Sequence, residues 1–297
     1  MAYAHAVTSA SENAAAPRVR KIFPADLIDA LRCGWSDFSA VPSHAVFLAL
    51  IYPVIGFVLA WAAFGYQILP LLYPMITGFA LVGPVAAIGL YELSRRRERG
   101  EDAAVTHAFD VLQSPSRWGI AMLALMLVMI FFAWLVAAQT IYWFTFGDTR
   151  PETLAEFLSE VLTTTHGWAL IVVGNIVGFL FAVLVLTISV AAFPLLIDRD
   201  VGAADAVLTS VRAVSANPGP MALWGLLVSV ILFVGALPVF LGLTVAIPVL
   251  GHATWHLYRK VVEPDPNPAP APPQPVKRRR SAADFPVALF TPTDDMQ

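Results

Sequence analysis

The sequence predicts an all-α integral membrane protein: six transmembrane helices in three hairpins, each hairpin preceded by a cytoplasmic amphipathic helix. Three observations predict it. Of 297 residues, 58% are hydrophobic and 13% charged, where a soluble domain carries about 25% charged residues, and the apolar residues fall in long uncharged runs. The Asp-Ala pairs Asp29-Ala30, Asp102-Ala103 and Asp205-Ala206 each have a proline thirteen residues downstream, at Pro42, Pro115 and Pro218, and an apolar stretch follows each proline. Of the 18 lysines and arginines, all but Arg150 fall in segments that an even number of crossings places on one side. By the positive-inside rule that side is cytoplasmic and holds both termini.

Taken in order, residues 1–21 are small, polar and aperiodic, a disordered N-terminal segment. From Pro24 the period turns helical. Leu27, Ile28, Leu31, Trp35 and Phe38 mark one face, with Asp26, Asp29, Arg32 and Asp37 turned mostly away. This stretch is too polar to span, so it is read either as a helix in the lipid boundary or as an ordinary helix packed on others.

A six-helix membrane domain is expected over residues 22–262, with crossings at about 44–63, 70–91, 118–141, 167–193, 220–237 and 238–257, each near the twenty residues a bilayer needs. Pro53 in the first crossing, Pro74 and Pro84 in the second and Pro248 in the sixth each remove a helical N–H, so they are candidate hinges. Pro194 is expected to close the fourth crossing. Residues 147–166 form a polar loop with room for a short helix. The second and third surface helices are expected at Asp102–Pro115 and Asp205–Pro218, with Ala104, Ala108 and Val111, then Val207, Val211 and Val214, on the matching face. All three hairpins enter from the same side, which makes the threefold repeat parallel. Residues 263–297 form a Pro-rich tail with a basic run at Lys277–Arg280, disordered by composition.

Few residues carry chemistry. No Asp, Glu, Lys or Arg lies within a predicted crossing, which weighs against ion-coupled transport and against a carboxylate-based intramembrane hydrolase. Gln139 and Asn175 are read as interhelical hydrogen-bonding groups. His252 and His256 share one helical face near the cytoplasmic end of the sixth crossing, and His44 opens the first at similar depth. They are weak candidates for a metal, since His-x-x-x-His here lacks the glutamate of a zincin. Arg95, Arg96, Arg97 and Arg99 read first as an orientation signal and second as contacts for anionic headgroups. The lone Cys33 excludes an internal disulfide, and the net charge of −3 suggests no nucleic-acid partner. No phosphate loop, nucleophile elbow or kinase signature occurs, so no catalytic residue and no cofactor is expected.

The stretches Ala30 to His44 (ALRCGWSDFSAVPSH), Gly83 to Glu101 (GPVAAIGLYELSRRRERGE) and Phe193 to Pro218 (FPLLIDRDVGAADAVLTSVRAVSANP) resemble an uncharacterised family of bacterial predicted integral membrane proteins. Some of its members carry a cytochrome c oxidase subunit label. The resemblance covers roughly residues 22–262. It implies a multi-pass protein of the bacterial inner membrane and transfers no catalytic residue. The oxidase label finds no deep histidines here to hold haem or copper. The sequence therefore points to a non-enzymatic accessory, assembly or scaffolding component, partnered by membrane lipids and by a membrane complex or further copies of itself. The alternative is a carrier or channel for a lipid or an uncharged or weakly polar solute.

Overall fold

The computed structural model describes residues 17–40, 69–148, 153–238 and 240–265. The first predicted crossing, with His44 and Pro53, lies outside them, as do most of the N-terminal segment and of the Pro-rich tail. The chain divides at Pro264 into a helical body and a C-terminal stretch, and all that follows concerns the body. Among the described residues the body is helical, with one isolated antiparallel bridge, Val19 to Val262.

The helices are α1 (Pro24–Ala40), α2 (Leu69–Phe79), α3 (Gly83–Ala86), α4 (Ile88–Glu98), α5 (Arg117–Phe146), α6 (Leu154–Thr163), α7 (Thr165–Ser189), α8 (Ala192–Asp198), α9 (Ala203–Ala216), α10 (Pro218–Ala236) and α11 (Leu243–Val261). Two 3₁₀ helices, Ala80–Val82 and Val105–Gln113, interrupt them. Four described stretches are long and apolar enough to cross a membrane: Pro70–Glu98, Arg117–Phe146, Thr165–Asp198 and Pro218–Ala236. α11, the predicted sixth crossing, is not among them, because its second half carries His252, His256, Arg259 and Lys260.

The predicted hinges behave differently from one another. Pro84 sits at the start of α3, just after the 3₁₀ turn Ala80–Val82, so the second crossing is a broken helix there. A proline at that position loses no hydrogen bond that the first helical turn would have made. Pro74 and Pro248 lie inside α2 and α11, which continue through them. Pro194 does not end its crossing: after a turn at Val190-Ala191 the chain resumes as α8 and runs to Asp198. Ser210 Oγ accepts the Ala191 N–H freed at that turn (3.2 Å). In the 147–166 loop, Thr153 caps α6 and Thr164 caps α7, each accepting a backbone N–H three residues on (3.1 and 3.0 Å).

The three surface segments are not copies in detail. The first and third are α-helices, α1 and α9, while the second is the 3₁₀ helix Val105–Gln113. The predicted apolar face of α1 is also split. Leu27 and Phe38 are buried with Ala30, Gly34 and Asp37, whereas Ile28 and Trp35 remain more than half exposed. The bundle chose the face with the smallest side chain. A Cβ on Gly34 would lie 2.6 Å from Ala253 N and 2.7 Å from Val249 O, so α1 and α11 approach at backbone contact. α9 does the same with Ala206, Thr209, Ser210 and Ala213.

Burial is concentrated at one end. At most 22% of any spanning window is buried inside the protein, and only 6% in Thr165–Asp198. By contrast, Leu27, Phe193, Leu195, Trp224, Trp255, Leu257 and Tyr258 are almost wholly buried. They belong to α1, α8, α10 and α11, where those helices converge at the arginine-bearing end.

Candidate functional site

The buried polar residues of that end form neighbouring clusters, and the first is built around Asp37. α1 carries this carboxylate into contact with α4 and α11. Ser94 Oγ donates to Asp37 Oδ2 at 2.6 Å. His252 Nδ1 lies 2.8 Å from the same Oγ. His256 Nε2 lies 2.8 Å from Asp37 Oδ2, and only a protonated nitrogen satisfies a carboxylate. Arg97 adds its Nε 3.4 Å from Asp37 Oδ1 and donates to the Ser36 and Asp37 carbonyls. Burial works to raise the Asp37 carboxyl, but hydrogen bonds from His256 and Ser94 outweigh it and hold it below the usual carboxylate range.

The other arginines are similarly engaged. Arg95 grips the buried Glu92 with two 2.7 Å bonds, and Arg96 adds a third to Glu92 while reaching Asp110 at 2.7 Å. His107 Nδ1 meets Asp110 at 2.7 Å. Arg99 Nη2 lies 3.5 Å from Asp198, which also accepts from the Tyr258 hydroxyl (2.8 Å) and from Arg259 (3.3 Å). Glu98 takes Trp255 Nε1 and Arg259 Nε, both at 3.0 Å. Lys260 Nζ sits 2.6 Å from Asp29 and 3.7 Å from Asp26 at the N-terminal end of α1. The hydrogen bond from Lys260 is the main cause holding Asp29 below its usual range.

A strap closes this end. Arg20 N donates to Val261 O and Glu263 N to Arg18 O, which lays the chain before α1 along the chain after α11. Asn217, nearly fully buried, accepts Ile22 N (2.9 Å) and donates to Arg20 O and Ala213 O (3.0 Å each). Lys21 Nζ donates to Ala216 O.

This arrangement binds protein to protein. Ser94 is buried and bridges Asp37 and His252. His252 and His256, predicted on one face, do share it, and they serve Ser94 and Asp37. Among the described residues no three His, Cys, Asp or Glu side chains converge as metal ligands, and His44 lies outside those residues. Cys33 is partly exposed, and burial is the first of the causes that push its thiol above its ordinary range. The four arginines read as headgroup contacts each hold an acidic side chain of the protein.

Sequence reasoning missed the acids that answer them. Glu92 could have been found, since it precedes Arg95 and Arg96 by three and four residues. Asp37 could not, because it counted as a residue turned away from the apolar face. One echo of the repeat survives: Asp37 and Asp110, each eight residues beyond its Asp-Ala pair, both engage a histidine and an arginine, whereas the third copy has Ala213.

The fold and its apolar helices define a helical integral membrane protein. Residues 71–198 match the family described as Predicted integral membrane protein (DUF2189), a domain of unknown function. The match takes in the arginine run, Glu92, Ser94, Asp110 and Asp198. α1 and α11, with Asp37, His252 and His256, lie outside it. No curated protein and no solved structure matches the chain.

Proposed function

We propose that this protein is a non-enzymatic accessory, assembly or scaffolding component of the bacterial inner membrane. It has six crossings as three parallel hairpins, both termini in the cytoplasm, and lipids and a membrane complex as its partners. The observation that carries the reading is the contrast between the two ends. One end is tied by neutralised clusters around Asp37, Glu92, Glu98 and Asp198. Few residues in the apolar windows of the spans are buried within the chain, fewest in that of Thr165–Asp198. A rigid base with open spans suits a protein that presents transmembrane surface to others.

The third hairpin is supported by the close return of α11 on α10, where a Cβ at Gly235 would lie 3.2 Å from Ala246 Cβ. Its turn, near Leu237-Pro238, includes Phe240 with φ 64°.

Purification in mild detergent with native lipids, followed by mass spectrometry, tests the proposal. A stoichiometric protein partner is expected, and elution alone with no partner overturns it. The break of the second crossing at Ala80–Val82 and Pro84 favours a second reading, a carrier for a lipid or a weakly polar solute. Retained lipid without a partner, together with flux in liposomes, would select it.

A further inference from the structure

α1 has three sides rather than two. At 3.6 residues per turn, Leu27, Ala30, Gly34, Asp37 and Phe38 form the docked side. Ile28, Leu31 and Trp35 form a second apolar strip about a quarter turn away, with Ile28 58% and Trp35 55% exposed. Asp29, Arg32 and Ser36 form the third, polar side. An ordinary helix packed on a soluble bundle needs only the first and third. The second strip calls for an apolar covering that the described part of the chain does not supply.

The position of α1 along α11 says what covers it. Asp26 and Asp29 meet Lys260, Asp37 meets His256, and Gly34 seats against Ala253 and Val249. Read toward its C-terminus, α1 thus descends from the charged last turn of α11 to its apolar half. The strip follows the same descent, with Ile28 near the charged turn and Trp35 deeper. Trp118, 72% exposed beside Arg117, marks a comparable boundary at the start of the Arg117–Phe146 span. Arg32, its side chain 75% exposed, borders the strip on the polar side, where a long basic side chain reaches phosphates while its stem lies on acyl chains.

We infer that α1 is an interfacial helix. One side is docked on α11, the Ile28–Leu31–Trp35 strip is sunk in the headgroup–acyl boundary of the same leaflet, and Arg32 lies at phosphate level. The occupant of the strip is phospholipid. The inference rests on the spanning reading above, and the test separates the two.

Single nitroxide labels are placed by Ile28→Cys, Trp35→Cys, Ser36→Cys and Phe179→Cys, each combined with Cys33→Ser. The full chain is reconstituted in vesicles of phosphatidylcholine and phosphatidylglycerol. Collisions with oxygen, which concentrates in acyl chains, are compared with collisions with a water-soluble nickel chelate. Labels at 28 and 35 are expected to favour oxygen, as the label at 179 on the exposed flank of α7 does, while the label at 36 favours nickel. Nickel-favouring labels at 28 and 35, with 179 still favouring oxygen, overturn the inference and leave the spanning reading intact. Labels at 28 and 35 shielded from both quenchers overturn it in favour of a protein partner. A nickel-favouring label at 179 overturns the spanning reading, and the inference with it.

Discussion

Gly34→Ala gives a test whose sign alone is diagnostic. Helix propensity favours alanine, by up to about 1 kcal/mol in a helix interior. Packing opposes it. The added methyl would stand 2.6 Å from Ala253 N, 2.7 Å from Ala253 Cβ and 2.7 Å from Val249 O, and ordinary contact begins at 3.4 Å. Two of these three atoms are backbone and cannot turn aside. α1 must therefore retreat from α11 by about 0.8 Å, the difference between those distances. The same retreat stretches the His256–Asp37 contact from 2.8 Å to about 3.6 Å, past hydrogen-bonding range. Overpacking costs about 1–3 kcal/mol, and weakening one bond to a charged group about 1.5–3 kcal/mol more. After the propensity gain, a net loss of about 3 kcal/mol is expected, which is roughly a hundredfold in the opening equilibrium. Hydrogen exchange of amides 27–38 in nanodiscs should accelerate by that factor. Gly174→Ala, where nothing lies within 4 Å of the new methyl, should leave exchange unchanged or slower. Slower exchange of α1 in Gly34→Ala would refute the close α1–α11 approach and the argument built on it.

Other consequences follow from the same contacts. Asp37→Ala withdraws the acceptor of Ser94, His256 and Arg97 at once and should cost about 3 kcal/mol in urea unfolding of the charged end, since one partner of a buried pair is removed. The pH dependence has a definite sign. The folded-state carboxyl of Asp37 lies below its unfolded value of about 3.9, so its contribution is complete above that pH and fades as pH falls toward the lower folded value. The stability gap between wild type and Asp37→Asn should thus persist from neutral to mildly acidic pH and close only below about pH 4; a gap that closes near neutrality would contradict the arrangement. Within the spans, Trp134→Phe removes the 2.9 Å bond from the indole N–H to the Pro74 carbonyl and should cost about 1 kcal/mol in a thermal melt, in keeping with intramembrane hydrogen bonds.

The sequence made the class and most of the element positions legible because apolar run length and basic asymmetry are properties of single segments. It read less well wherever two segments had to be compared. Leu27, Ile28, Leu31, Trp35 and Phe38 look like one face in α1, yet the docked side is set by the absence of a side chain at Gly34 and by what Ala253 and Val249 offer opposite. Asp37 looked like a surface acid because its partners, Ser94 and His256, lie 57 and 219 residues away. The arginine run was legible as charge, while its pairing with Glu92, Asp110, Asp37 and Asp198 depends on helix ends meeting in space. Nothing in the composition of Val105–Gln113 separates it from the other two surface segments, although it winds as a 3₁₀ helix.

Bilayer physics accounts for the placement of the core. α7 has 25 residues and Arg117–Phe146 has 30, so at 1.5 Å per residue they reach roughly 38 and 45 Å, against about 30 Å of hydrocarbon. The surplus emerges from the membrane. Inside the bilayer an apolar side chain is as well solvated by acyl chains as by another leucine, so Phe179, Leu180 and Val183 gain little from internal burial and remain exposed. Outside it, the hydrophobic effect acts again and emerging helix ends must cover one another. Leu195, Leu196, Trp255 and Tyr258 are buried at that end. The paired carboxylates and arginines that would be prohibitive in hydrocarbon sit among them, because the same convergence of helix ends supplies both the apolar cover and the counter-charge. The molecule's polar clusters and its apolar core therefore coincide at one end, and substitutions there should loosen the whole body while most substitutions along the exposed span faces alter only what the protein can hold against itself from the bilayer.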